Sequence, residues 1–192
     1  ISVCNMAYKF SGTDAQSAVQ ITGTIQNLFT VMGVAIGGGC GILLSNVLGY
    51  GDTEKAKDYS KKCMVLTILI SSVMGIILVI LSPYIINMFN VKDLVKDYTH
   101  KLLMIVAFGL IFKTYNYTTI VGILRSGGDT KYTAILDFAS VWFIGIPMAF
   151  LGAYFLDLPI YITYAMVYSE EIIKGFFSSA RVRKNKWAKS LV

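Results

Sequence analysis

Charged and amide side chains interrupt two apolar stretches of this sequence, where each of them is costly. Glu170, Glu171 and Lys174 lie in "VYSEEIIKGFF", and Lys113 and Asn116 lie in "IFKTYNYTTI". A charged group inside hydrocarbon costs several kcal/mol unless it is paired or faces water. Residues of these types at such positions indicate either ion and substrate translocation or ion pairing between helices.

Helical rise places Lys113 and Glu171 at similar depth. Lys113 is twelve residues before Arg125, which is about 18 Å along a helix. Glu171 is ten residues before Arg181, which is about 15 Å. Because pairing makes such groups tolerable in a bundle, we predict an interhelical pair between Lys113 and Glu171 or Glu170.

A second pair is predicted nearer the boundary, between Asp137 and Lys174. Each lies six or seven residues from a flanking cation, Lys131 or Arg181, at a depth of about 9 to 10 Å. An alternative is local, because Glu170 and Glu171 precede Lys174 by four and three residues on one helix. A purely structural role for these charges is therefore as well supported as a functional one.

Tyrosines form a stripe that ends in Glu171: Tyr161, Tyr164 and Tyr168 share one helical face with it. Aromatic rings beside a carboxylate suit an organic cation, and an interhelical hydrogen-bonding stripe explains the same pattern. Two further polar sets must face protein or water. They are Lys113, Thr114, Tyr115, Asn116, Thr118 and Thr119, and then Thr133, Asp137 and Ser140.

Composition indicates the elements that carry these residues. Of 192 residues, 55% are hydrophobic and only 15% are charged, against about 25% charged in an average soluble domain. Five apolar segments are each long enough to cross about 30 Å of hydrocarbon. They are residues 20–48, 63–81, 102–124, 133–155 and 160–180. We predict an all-α membrane protein with five full transmembrane helices, preceded by the last turns of another at residues 1–10.

Basic residues are distributed unevenly between the two ends of these segments. Eleven lie on one side: Lys55, Lys57, Lys61, Lys62, Arg125, Lys131, Arg181, Arg183, Lys184, Lys186 and Lys189. Four lie on the other: Lys9, Lys92, Lys96 and Lys101. The positive-inside rule predicts that the eleven, with the basic tail 181–192, are cytoplasmic. Topology alone explains the formal charge of +6, so no nucleic-acid partner is expected.

Glycine and proline predict the boundaries and contacts of the helices. "GYGDT" and "SGGDT" read as tight turns in which Gly ends one helix and Asp or Thr caps the next. Pro83 is predicted to close the second segment, Pro159 to open the fifth and Pro147 to kink the fourth. Gly33, Gly37 and Gly41 share a face that permits close approach of a neighbouring helix.

Motifs of catalysis and cofactor binding are missing from the sequence. The spacing of Gly122 and Gly127 fits a phosphate loop, but the Lys and Ser or Thr of that motif do not follow. No zinc spacing, nucleophile elbow or dinucleotide fingerprint is present. Cys4, Cys40 and Cys63 are expected to be free thiols. We predict no enzymatic activity, no cofactor and no metal centre.

Three stretches give the sequence a family resemblance: "GCGILLSNVLGYGDTEKAK", "VGILRSGGDTKYTAILDFASVWFIGIPMAFLGAYF" and "EEIIKGFFSSARVRKNKW". They resemble the second half of a bacterial multidrug and toxic compound extrusion (MATE) transporter, and "LRSGGDT" is the most specific element. The resemblance implies two six-helix lobes around a cavity of alternating access in the inner membrane. It also implies export of amphipathic organic cations driven by Na⁺ or H⁺. The first, third and preceding spans here would line the cavity, and the N-terminal lobe lies outside this chain.

The sequence departs from the family pattern at one position. Some branches carry a cation-binding acid eleven residues before the Arg of the "LR" turn, and that position here is Thr114, beside Lys113. The candidates for the ion or substrate pathway are instead Lys113, Asn116, Asp137, Tyr164, Tyr168, Glu170, Glu171 and Lys174. Two alternatives remain: a flippase for lipid-linked saccharides of the same wider superfamily, and a non-transporting half.

Overall fold

The computed structural model describes residues 12–156, 158–185 and 187–188, and within them the protein is all-α without strands. Its helices are α1 (Thr13–Gly49), α2 (Thr53–Asn87), α3 (Asp93–Leu124), α4 (Thr130–Phe155) and α5 (Ile160–Arg183). The predicted fold class is confirmed, and each of the five apolar segments lies within one helix. The predicted end of a preceding helix lies outside the described residues.

Four of these helices, α1 to α4, are long and apolar enough to cross a membrane. Their outward faces carry large apolar side chains that water would solvate poorly. On α2 these include Val65, Leu66, Leu69, Val73, Ile76 and Ile80, each more than half exposed. Helix α5 is more polar because Glu170, Glu171 and Lys174 interrupt it, so packing against other helices must position it.

The glycine face of α1 packs against α3, as predicted. A methyl group added at Gly122 would lie 2.7 Å from the carbonyl oxygen of Gly37. One added at Gly33 would lie 2.9 Å from the Thr114 hydroxyl. The two backbones therefore approach to a distance that a side chain at Gly122 would prevent.

The proline predictions are partly wrong. Pro83 does not close the second helix, which continues to Asn87. The Ser82 hydroxyl donates to the Val79 carbonyl at 2.9 Å, which is the carbonyl that loses its backbone donor at Pro83. Around Pro147 the regular α pattern gives way to wider π-helical turns at residues 141–145 and 151–155.

The two Gly-Asp-Thr turns differ in how aspartate is used. Gly51 and Gly128 adopt the left-handed conformation, with φ of 78° and 85°, which glycine accepts without strain. Asp52 caps α2 by accepting from the Lys55 backbone N–H at 3.0 Å. The predicted cap by Asp129 is wrong: its side chain makes no cap bond to α4, and its carboxylate binds Arg181 instead.

We expect Asp52→Ala to lower the free energy of unfolding by about 1 kcal/mol, because the Lys55 N–H loses its acceptor. Unfolding of the purified protein in mixed detergent micelles measures this. Asp52→Asn is the matched control, since an amide oxygen can still accept. Equal destabilisation by both substitutions would contradict the capping role.

Candidate functional site

Asn116 and Glu171 join α3 to α5 at membrane depth. The Asn116 Nδ2 group donates to the Glu171 carbonyl oxygen at 2.8 Å and to its Oε2 at 2.7 Å. Asn116 is 4% exposed, and its Oδ1 is buried without a hydrogen-bond partner among the described residues. A buried amide thereby holds one carboxylate and leaves an oxygen unsatisfied.

The predicted pair of Lys113 with Glu171 or Glu170 does not form within 4.0 Å in the described part of the chain. Glu170 binds Lys174 at 2.9 Å, and Glu171 accepts from Asn116. Both carboxylates therefore have other partners. Lys113 remains half-buried, one turn before Asn116.

The second predicted pair forms as part of a larger network. Lys174 Nζ lies 3.8 Å from Asp137 Oδ1 and 2.9 Å from Glu170 Oε1, so the interhelical and the local alternative both occur. Arg125, which the sequence argument treated only as a boundary, contacts Asp137 Oδ2 at 2.9 Å. The network connects the end of α3 with α4 and α5.

A contact that was not predicted from the sequence lies at the adjacent end of the bundle. Arg181 Nε donates to Asp129 Oδ2 at 2.6 Å, and its guanidinium lies 4.7 Å from the centre of the Tyr132 ring. Trp187 is fully buried, and its indole N–H donates to the Val182 carbonyl at 3.2 Å. In the sequence, the tryptophan within the basic tail is the feature that could have indicated that the chain packs back against the bundle after α5.

The polar cluster of α3 faces neighbouring helices. Thr118 hydrogen bonds with Thr67 at 3.0 Å, and Thr119 with Ser178 at 3.1 Å. The Tyr115 hydroxyl lies 2.8 Å from the Ser179 hydroxyl. From Tyr117 to Leu124 the helix is π-helical, a geometry found frequently at functional sites.

Tyr164 and Tyr168 lie at the interface of α5 with α1 and α3. The Tyr164 hydroxyl donates to Gln26 Oε1 at 2.9 Å. The Tyr168 ring packs on Gly109. The centres of the Tyr164 and Tyr168 rings are 5.5 Å apart. Tyr161 lies farther along, with Lys101 Nζ 5.3 Å from its ring centre.

Thr114, at the position where some MATE branches carry an acid, is 2% exposed and packs against Gly33. The position therefore serves the contact between α1 and α3. In the described residues no three His, Cys, Asp or Glu side chains are grouped to hold a metal. Cys40 and Cys63 are free and buried, as predicted, and Cys4 lies outside the described residues.

A shallow cleft of about 450 Å³ lies beside the contact between α1 and α3. Its lining is mainly apolar in surface and comprises Gly38, Gly41, Ile42, Ser45, Asn46, Val121 and Ser126. Methyl groups added at Gly38 or at the neighbouring Gly39 would meet nothing within 4 Å.

The sequence matches known membrane transporters. The MatE family model matches residues 2–151. The protein is 23% identical to an uncharacterized transporter, YisQ, of Bacillus subtilis over 92% of this chain and 38% of the relative. It is 27% identical to a probable multidrug resistance protein, NorM, of Listeria innocua over 94% of this chain and 39% of the relative. The chain thus spans about two fifths of the length of these relatives.

Two solved structures share the fold. A MOP superfamily transporter from Pyrococcus furiosus superposes with a TM-score of 0.85 at 14% identity, over 92% of this chain and 39% of that one. Its binding pocket is described as having reverse polarity, which suggests a different function for that protein. An outward-facing multidrug resistance transporter superposes with a TM-score of 0.81 at 15% identity, over 96% of this chain and 41% of that one.

Proposed function

The chain belongs to the MatE family of membrane transporters, and from that premise we propose that it forms the C-terminal lobe of a secondary active exporter. The complete transporter exports amphipathic organic cations by alternating access, in exchange for Na⁺ or H⁺. Its second wall is an N-terminal lobe outside this chain. The lobe lies in a bacterial inner membrane with its basic C-terminal end in the cytoplasm, as the positive-inside rule predicts.

The contacts of Glu171 are the observation that supports ion coupling in this proposal. Asp137 and Glu170 each lie within 4.0 Å of a cation, whereas Glu171 has no such partner in the described part of the chain and accepts only the Asn116 amide. A carboxylate inside the bundle that no cation in the described residues approaches within 4.0 Å can exchange a bound ion or proton. The buried Asn116 Oδ1 adds an oxygen of the kind that hard cations prefer.

The two faces of the bundle support the placement of the cavity. The cleft between α1 and α3 is lined by glycines and by the polar side chains of Ser45, Asn46 and Ser126, which can meet protein or water. The apolar face of α2 suits lipid. In keeping with the family resemblance, we place α1 and α3, the first and third spans, beside the central cavity and α2 at the lipid boundary.

We expect Glu171→Gln to reduce gradient-driven efflux of ethidium at least about tenfold, because a neutral amide cannot carry the exchanged charge. The full-length protein is reconstituted in liposomes, and Na⁺ and H⁺ gradients are imposed and collapsed separately. The gradient whose collapse stops efflux identifies the coupling ion. Glu54→Gln, at an exposed carboxylate of α2 paired with Lys57, is the matched control.

Two results would contradict parts of the proposal. If Glu171→Gln retained full gradient-driven efflux, Glu171 would not be the coupling residue, and an acid of the other lobe would be assigned that role. Absence of dye efflux from the wild-type protein under both gradients would contradict organic-cation export. Lipid-linked saccharides would then be tested, because Lys113 has no carboxylate within 4.0 Å in the described residues and could contact a phosphate.

A further inference from the structure

A second groove, of about 680 Å³, lies between α2, α3 and α5. Its walls are mainly apolar and include Ile68, Phe112, Ile172 and Phe176. Arg183 and Lys184 contribute to its lining at the C-terminal end of α5. Within the part of the chain that the structure describes, neither of these cations has a carboxylate within 4.0 Å.

The groove opens toward the lipid side of the bundle. Phe176 is 73% exposed, Ile172 48% and Ile68 42%, and Ile68 belongs to the apolar helix α2. The polar groups in the lining, Tyr115 and Ser179, satisfy each other at 2.8 Å. The body of the groove therefore offers apolar contacts without a free polar group that would select a polar ligand.

The length of the groove matches one lipid leaflet. From Ile172 to Lys184 is twelve residues, which is about 18 Å along α5. Half of the hydrocarbon core of a bilayer is about 15 Å. The groove thus runs through the depth of one leaflet and ends with two cations at its surface.

We propose that this groove binds one anionic phospholipid, with an acyl chain against the apolar walls and the phosphate at Arg183 and Lys184. Basic pockets between transmembrane helices near the membrane surface suit such headgroups, and Arg can bind a phosphate through two parallel hydrogen bonds. A transported organic cation is disfavoured here, because the polar end carries two cations that have no carboxylate within 4.0 Å among the described residues. Glu171 is not among the residues that line the groove, and lipid binding there does not depend on transport.

Native mass spectrometry of the full-length protein in neutral detergent tests the proposal by titration with phosphatidylglycerol and, separately, phosphatidylcholine. We expect the wild type to retain phosphatidylglycerol preferentially. Arg183→Gln with Lys184→Gln should weaken phosphatidylglycerol binding about 30-fold and leave phosphatidylcholine binding unchanged. Ile68→Trp, which fills the groove and keeps both charges, should weaken binding of phosphatidylglycerol as well.

The matched control is Lys55→Gln with Lys61→Gln, which removes two charges at the same end of the bundle but outside the groove. An equal loss of binding in this control would indicate general attraction and overturn the proposal. Equal retention of both lipids by the wild type would also overturn it, whether or not the variants fold. Displacement of the lipid by excess inorganic phosphate would contradict acyl-chain binding, and absence of displacement supports it.

Discussion

Lys174→Met is expected to destabilise the folded protein by about 3 to 5 kcal/mol, the usual loss when one partner of a buried ion pair is removed. The Lys174 and Glu170 side chains are only 10% and 12% exposed. Without the ammonium group, Glu170 keeps a charge at membrane depth, beside the backbone of Gly145. Unfolding in mixed detergent micelles and the yield of monodisperse protein both measure the loss.

The double variant Lys174→Met with Glu170→Met separates an ion pair from the packing of the lysine stem. Removing both charges abolishes the unpaired carboxylate, so we expect at least half of the lost stability to return. Asp137 keeps its partner Arg125 in either variant. A double variant as unstable as Lys174→Met would show that the two charges are not energetically coupled.

Depth along a helix could be predicted from the sequence, and the direction of a side chain around it could not. Counting residues placed Asp137 and Lys174 at one level, and they lie 3.8 Å apart. The same count placed Lys113 at the depth of Glu171, yet the Asn116 amide is the group that donates to the Glu171 carboxylate. Lys113 and Asn116 are three residues apart and lie on nearly the same face of α3, so interhelical packing decides which of the two contacts Glu171.

Local rules succeeded where one residue determines the geometry. The left-handed glycines of both turns followed from the Gly-Asp-Thr pattern, as did the Asp52 cap. Asp129 differs because Arg181, fifty-two residues later, returns to the same end of the bundle. The Arg181 guanidinium gives the Asp129 carboxylate two charge-assisted N–H donors, and this competition with the backbone N–H was not visible in the local pattern.

The glycine contact between α1 and α3 is expected to produce the second large effect. Gly122→Ala should destabilise the fold by about 3 kcal/mol, near the upper end for overpacking. Its methyl group would lie 2.7 Å from the Gly37 carbonyl oxygen, and a backbone atom cannot turn aside as a side chain can. The free energy of unfolding of the purified protein measures the loss.

Gly41→Ala is the matched control at the same interface, because its methyl group would meet Gly122 at an ordinary distance of 3.5 Å. Alanine also favours a helix over glycine by about 1 kcal/mol, so Gly41→Ala should be neutral or stabilising. If the free energy of unfolding falls for Gly122→Ala and rises for Gly41→Ala, the loss results from the close approach of the two backbones and not from the removal of a glycine as such. Equal losses of unfolding free energy in both variants would contradict the proposed contact. They would indicate that the glycines are needed for flexibility of the helix.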